Sequence, residues 1–179
     1  TINAGAVLED ADQNGLAHFC EHMAFNGTKN FPKQKLVDFL ESTGIRFGAD
    51  LNAYTNQDET VYMLTVPLDN TQSIINGVKV LRDWAAFVNY EDEDIDEERG
   101  VVIEEWRLGR GASARIQDQH MAALYNNSKY STHDVIGDTA ILRNAPYETL
   151  RRFYNTWYGP QNMALIAVGD ADFSTVHDI

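Results

Sequence analysis

The chain holds 179 residues, 44% hydrophobic and 23% charged, a composition that fits one globular domain with a full core rather than a disordered segment. Lys and Arg total 14 against 27 Asp and Glu, and the net charge of −13 argues against a nucleic-acid partner, which needs a basic face. No apolar run approaches the ~18 residues of a membrane span, and the single cysteine, Cys20, excludes an internal disulfide.

The chain opens Thr1-Ile2-Asn3-Ala4, with neither an initiator Met nor a signal-peptide pattern, as expected of an excised or processed segment. Residues 2–8 read as a short strand and 9–15 as an acidic turn. A helix is expected over 16–25, ended by Asn26-Gly27. It carries His18-Phe19-Cys20-Glu21-His22. At about 100° per residue the two imidazoles project about 40° apart, and Glu21 lies about 60° to the other side of His18. Two histidines four apart can grip one zinc ion while the Glu stands beside a water. This is the metalloprotease helix signature in reversed order, H-x-x-E-H, with the Glu suited to be a general base rather than a ligand. Phe19 and Met23 anchor the helix on another face, and Cys20 points away from the histidines and packs as a small apolar residue. A catalytic zinc site needs a third protein ligand and one open position.

A second helix is expected over 33–42. Two paired strands follow, 51–55 and 60–67, joined by a turn at Asn56-Gln57-Asp58-Glu59. Residues 70–88 are helical, with Ile74, Val78, Leu81, Trp84, Ala85 and Val88 as the buried stripe. An acidic run, 91–98, opens the next helix, and carboxylates 91–97 there complement the helix dipole. That helix continues through Trp106 and Leu108. Glu98 and Glu105 fall within its apolar stripe, formed by Ile95, Val101, Val102, Trp106 and Leu108, whereas Glu97 and Glu104 fall outside. A carboxylate on a core-facing stripe is costly unless paired, hydrogen-bonded or metal-bound, so Glu98 and Glu105 are the candidates for the missing ligand. Further helices are expected over 116–125 and 147–158, and a last strand over 163–168. His120, His133 and His177 lack a companion ligand; Trp84, Trp106 and Trp157 read as core. With no repeat, linker or domain boundary, residues 1–179 form a single α+β domain, with helices packed on a largely antiparallel sheet.

Several segments together carry a resemblance. They are Asn3-Ala4-Gly5, the stretch from Gly15 through the H-x-x-E-H motif to Thr28, Asn52-Ala53-Tyr54-Thr55, Glu98-Arg99-Gly100-Val101-Val102-Ile103-Glu104-Glu105, and Tyr158-Gly159-Pro160. On these the chain resembles the catalytic N-terminal domain of the pitrilysin/insulinase-type zinc peptidases, the inverzincins. The stretch from Glu105 to Gly111 is most similar to the family's bacterial branch. The resemblance implies a zinc-dependent metalloendopeptidase with one Zn2+ per catalytic domain, held by His18, His22 and Glu105, with Glu21 as general base. Glu98 matches a second acidic position that steadies the ligands. Glu105 lies 83 residues after His22 (105 − 22), longer than is usual in the family, while Glu98 lies 76 after it (98 − 22). The pattern E-R-x-V-V-x-x-E ends on Glu105 and favours it, with a loop insertion upstream supplying the extra length. In the family, the strand carrying Asn52, Ala53 and Tyr54 borders the cleft, and substrate pairs with a sheet edge there. The partners implied are a peptide or small unfolded protein substrate and a second half of a larger enzyme. Without that half this chain is expected to bind zinc but to hydrolyse peptides weakly. The rival expectation is a non-catalytic half that binds peptides or a partner subunit. The bacterial-looking motifs point to the periplasm.

Overall fold

The computed structural model describes residues 1–33, 36, 39, 48, 50–69, 71–126, 128–170, 174 and 176. The fold is built around helix α1 (Leu16–Asn26), eight of whose 11 residues are buried. Its start is set by Gly15, at φ 98, and its end by Gly27, at φ 134, both backbone conformations that residues with a Cβ rarely adopt. Strands β1 (Leu51–Thr55) and β2 (Thr60–Leu64) form an antiparallel hairpin in the register Leu51↔Leu64 to Thr55↔Thr60. Helices α2 (Thr71–Ala86), α3 (Asp92–Gly109), α4 (Ala112–Tyr125), α5 (Lys129–Thr132), α6 (Thr139–Asn144) and α7 (Tyr147–Trp157) follow among the described residues. Helix α1 packs on α7, α3 and the hairpin, so the H-x-x-E-H segment lies at the centre of the molecule. Phe19, Cys20, Met23 and Ala24 face the core from it.

Beyond the hairpin, pairing among the described residues is confined to single bridges. The strand expected over 2–8 is not formed: Ile2 alone bridges Thr60 on one side and Met163 on the other. Ala6–Leu8 coil into a 3-10 turn instead, because the amides of Ala6 and Val7 donate to the carbonyls of Asn56 and Gln57 in the hairpin turn (3.1 and 2.9 Å). Gly5 makes this approach possible; a Cβ there would lie 2.3 Å from the Asn56 oxygen. The strand expected over 163–168 is likewise reduced. Met163 bridges Ile2 and the Ala164 amide donates to Thr1 O (2.9 Å), but Leu165, Ile166 and Val168 find no strand to pair with among the described residues. The second strand of the hairpin ends at Leu64 rather than at Pro67.

Helix α2 falls where periodicity places it, but it is rotated. Its deeply buried residues are Ser73, Gly77, Val80, Asp83 and Trp84, while Ile74, Val78, Leu81, Ala85 and Val88 are only half-covered. Two polar or minimal positions cause this. A Cβ on Gly77 would meet Val66 at 2.8 Å, so the helix leans on the segment after β2. Asp83 is pulled inward by Thr28 Oγ1 (2.7 Å), Asn30 N (3.1 Å) and Asn30 Nδ2 (2.8 Å), all donating to its carboxylate. Trp84 then joins α2 to α1, its indole N–H donating to Ala24 O at 2.9 Å. The short helices α5 and α6 were not anticipated. The second is capped by Asp138, whose side chain accepts from Ala140 N and Ile141 N. The helix expected over 33–42 lies largely outside the described residues, of which Leu36 is buried in the core.

Candidate metal centre

Three elements bring the candidate residues together. Helix α1 presents His18, Glu21 and His22, α3 crosses it with Glu98 and Glu105, and β1 runs alongside with Ala53 and Thr55. Helix α3 opens with Asp92, Glu93 and Asp94 in its first turn, as the dipole argument requires. Ile95, Val102 and Ile103 seat it against the core, and burial stops there. Val101 and Leu108, expected on the buried stripe, are exposed, because the C-terminal part of the helix runs past its neighbours. The two glutamates therefore differ. The Glu98 side chain is 13% exposed and Glu105 51%, so Glu105 is not the core-facing carboxylate that the periodicity implied.

His22 sits between these two carboxylates. Glu98 Oε1 is 2.7 Å from Nδ1, and Glu105 Oε2 is 3.2 Å from Nε2. Asn26 steadies Glu98 from the next turn of α1, Nδ2 donating to Oε2 at 2.5 Å. Burial by itself would push the His22 pKa down, but the Glu98 hydrogen bond and the charges of Glu98, Glu105 and Glu21 outweigh it and raise it. The same contacts from His22 and Asn26 overcome the burial of Glu98 and lower its pKa. His18 behaves oppositely: burial, with His22 alongside, holds its pKa down to about 3, so it is a neutral imidazole. Its Nε2 lies 3.8 Å from Glu105 Oε2, and its ring meets that of His22 edge-on at 4.6 Å. Its Nδ1 has no hydrogen-bond partner among the described residues. One histidine is thus oriented by a hydrogen bond and the other by packing.

One ligand-type atom from each of His18, His22 and Glu105 lies within 4.8 Å of the other two. Tetrahedral zinc with bonds of about 2.0–2.1 Å places neighbouring ligand atoms about 3.3–3.5 Å apart, so small side-chain adjustments suit this N, N, O set to the ion. Glu98 is outside this set and reaches it only through the His22 ring. Glu21, 8% exposed, points its Oε2 at the Thr55 hydroxyl, which donates at 2.6 Å. Burial raises its pKa, opposed by Thr55 and His22 and aided by Glu105. Glu21, His22, Phe25, Asn26, Asn52, Ala53 and Glu98 line a cleft of about 290 Å³. Tyr54 stands apart from it, its hydroxyl donating to Glu59 at 3.0 Å.

Sequence reasoning missed Thr55, Asn26 and Glu9. The Glu9 carboxylate is buried and accepts from Gly15 N (3.0 Å) and Ala17 N (2.8 Å), capping the helix that carries His18. Its distance along the chain hides it, since a conventional cap lies next to the helix. Alternation along β1 puts Leu51, Ala53 and Thr55 on one face, a signal that could have singled out Thr55.

The family model described as "Insulinase (Peptidase family M16)" matches residues 1–134, and that described as "Peptidase M16 inactive domain" matches 144–179. A relative described as "Zinc protease PQQL-like", from Arabidopsis thaliana, is 40% identical over 99% of this chain and 19% of its own length. "Probable zinc protease PqqL" of Escherichia coli is 39% identical over 96% of this chain and 18% of its own. The chain therefore spans about a fifth of the length of these curated relatives. The crystal structure of the first half of the periplasmic protease PqqL from Escherichia coli superposes with a TM-score of 0.93 at 37% identity, covering 99% of this chain and 39% of that one. Pitrilysin shares the fold, with a TM-score of 0.73 at 21% identity over 90% of this chain and 17% of its own. On these matches, which bear out the resemblance read from the H-x-x-E-H helix and the segments around it, the chain belongs to the M16 (insulinase) family of peptidases.

Proposed function

We propose that this chain is the catalytic domain of a zinc-dependent metalloendopeptidase and forms part of a larger, two-half enzyme that acts in the bacterial periplasm on peptides or small unfolded proteins. The observation that carries the reading is the convergence of His18, His22 and Glu105 with Glu21 on the same helix face. His18, His22 and Glu105 would hold one Zn2+. Bound there, the ion supplies Lewis acidity, polarising a peptide carbonyl and lowering the pKa of a water to about 7. Glu98 keeps the proton of His22 on Nδ1, which leaves the Nε2 lone pair for the ion. Glu21 takes a proton from water as the oxygen–carbon bond forms and returns it to the leaving nitrogen as the carbon–nitrogen bond breaks. Ala53 and Asn52, on the cleft wall, are placed to meet the substrate backbone. Support for the two halves and the compartment comes from relatives about five times longer and from the similar half-structure of a periplasmic protease.

The test is Glu21→Gln in the full-length protein. Peptide turnover is expected to fall by at least about 100-fold, the scale of a lost general base, with zinc content unchanged. Undiminished turnover would overturn the mechanism. If the parent protein captured peptides without cleaving them, and the variant captured them equally well, the chain would be a binding half instead.

A further inference from the structure

We infer that Thr55 is a positioning residue for Glu21, choosing which carboxylate oxygen meets the water proton. The inference rests on the hydrolytic reading above. Thr55, whose hydroxyl reaches the carboxylate, faces Thr60 in the last β1–β2 pair, and the two hydroxyls are neighbours. Each has a single proton to give. Thr60 is fully buried and held on both sides: it exchanges backbone hydrogen bonds with Ile2 (2.8 and 3.0 Å), and its hydroxyl donates to Ala4 O at 2.9 Å. With that proton committed, Thr60 cannot donate to Thr55, and its oxygen, 3.4 Å from the Thr55 hydroxyl, is the more distant of the two acceptors open to the Thr55 proton. The Thr55 proton therefore goes to Glu21 Oε2, at 2.6 Å, a length typical of hydroxyl to carboxylate.

The consequence is a carboxylate with two unlike oxygens. Oε2 is occupied, while no hydrogen bond reaches Oε1 from the described residues. A side chain with three rotatable bonds would otherwise sample several orientations in the cleft. Tied at one oxygen to a hairpin whose second strand is clamped to the N-terminal segment through Thr60, it presents the other in one direction. When Oε1 takes a proton from water, and later yields it to the departing amine, Thr55 neither gains nor loses one. Its contribution is to orientation, which acts on the chemical step rather than on substrate capture.

The experiment compares Thr55→Val and Thr55→Ser with the parent in the full-length protein, using a mixture of internally quenched peptides of varied sequence. Valine keeps the volume and removes the donor; serine restores it. We expect Thr55→Val to lower kcat by about 10- to 100-fold with KM within about threefold, the scale of a hydrogen bond to a charged group. Zinc content should match the parent, and Thr55→Ser should recover most of the rate. In crystals of Thr55→Val the Glu21 carboxylate should be turned or spread over several positions, and in Thr55→Ser it should return. A Val variant at the parental rate, a Ser variant no faster than Val, loss of zinc with Val, or an unmoved Glu21 would each overturn the assignment. Glu21→Gln separates the two layers: if it is inert while Thr55→Val is fully active, only the role of Thr55 fails, and if it is fully active the hydrolytic reading fails with it.

Discussion

Glu98 holds Nδ1 of His22 at 2.7 Å, while Glu105 meets the opposite nitrogen of the same ring at 3.2 Å. One imidazole thus separates the two carboxylates into different tasks, although they lie seven residues apart on one helix. Replacing Glu105 by Gln removes a charged donor from the set of three and is expected to abolish stoichiometric zinc binding. Glu98→Gln keeps an acceptor for the Nδ1 proton and loses only the charge, so zinc should still bind, about 10- to 100-fold more weakly. Elemental analysis and a competitive chelator titration of the two full-length variants measure both effects. Equal losses would mean that the division of labour is wrong.

The contact between Gly15 and Gly137 predicts a steric failure. A Cβ on Gly15 would lie 2.6 Å from the Gly137 Cα, and the backbone there has φ 98. Gly15→Ala should cost about 2–4 kcal/mol through strain and collision together. The melting temperature of the variant checks this. An unchanged value would show that the loops slide apart at no cost.

Asp83 predicts a larger effect than its place in an amphipathic helix suggests. Its carboxylate takes up Thr28 Oγ1, Asn30 N and Asn30 Nδ2, and Asp83→Ala strands the buried Thr28 hydroxyl while the exposed Asn30 turns to water. The loss should be about 1–3 kcal/mol, read as a lowered denaturant midpoint.

Glu9 gives a pH dependence. Burial pushes its pKa up to about 8 from 4.5, against the pull of the Ala17 and Gly15 amides and of Lys129. A carboxyl raised in the folded state holds its proton there after the unfolded chain has released it. Its contribution is therefore full below about pH 4.5 and is lost as pH rises toward 8, by at most about 1.4 kcal/mol per unit. Hydrogen exchange over the first turn of α1, corrected for the intrinsic rate, should lose protection across that window in the parent. Glu9→Gln, whatever its offset, should show no such slope. A slope of the same size in Glu9→Gln would place the titration elsewhere.

Much of the centre was legible because H-x-x-E-H is local: three of its residues share one helix, and helix geometry fixes their relative directions. Glu98 and Glu105 were legible only in part. Periodicity placed them on one face, but how far that face is covered depends on where α3 leaves the core, which no window of sequence contains. Residues 2–8 and 163–168 have strand composition, yet whether they form strands depends on partners distant in the chain. Ile2 found two and Leu165 none among the described residues. Thr55 and Glu9 act across 34 and six to eight residues, respectively, through contacts created only by the folded chain.

Helix α1 presents Glu21 and His22 at the cleft, with His18 directed toward Glu105, while Phe19, Cys20, Met23 and Ala24 pack in the interior. Variation along this segment is consequently under two constraints at once, since a change that repacks the interior also re-aims the chemistry. On the reading proposed above, drift in substrate choice has more room on β1, where Asn52 lines the cleft yet is exposed and can be exchanged without disturbing the interior. Diversification of preference in such a scaffold should therefore accumulate on the strand while the helix stands still, and a directed-evolution library would be better spent there.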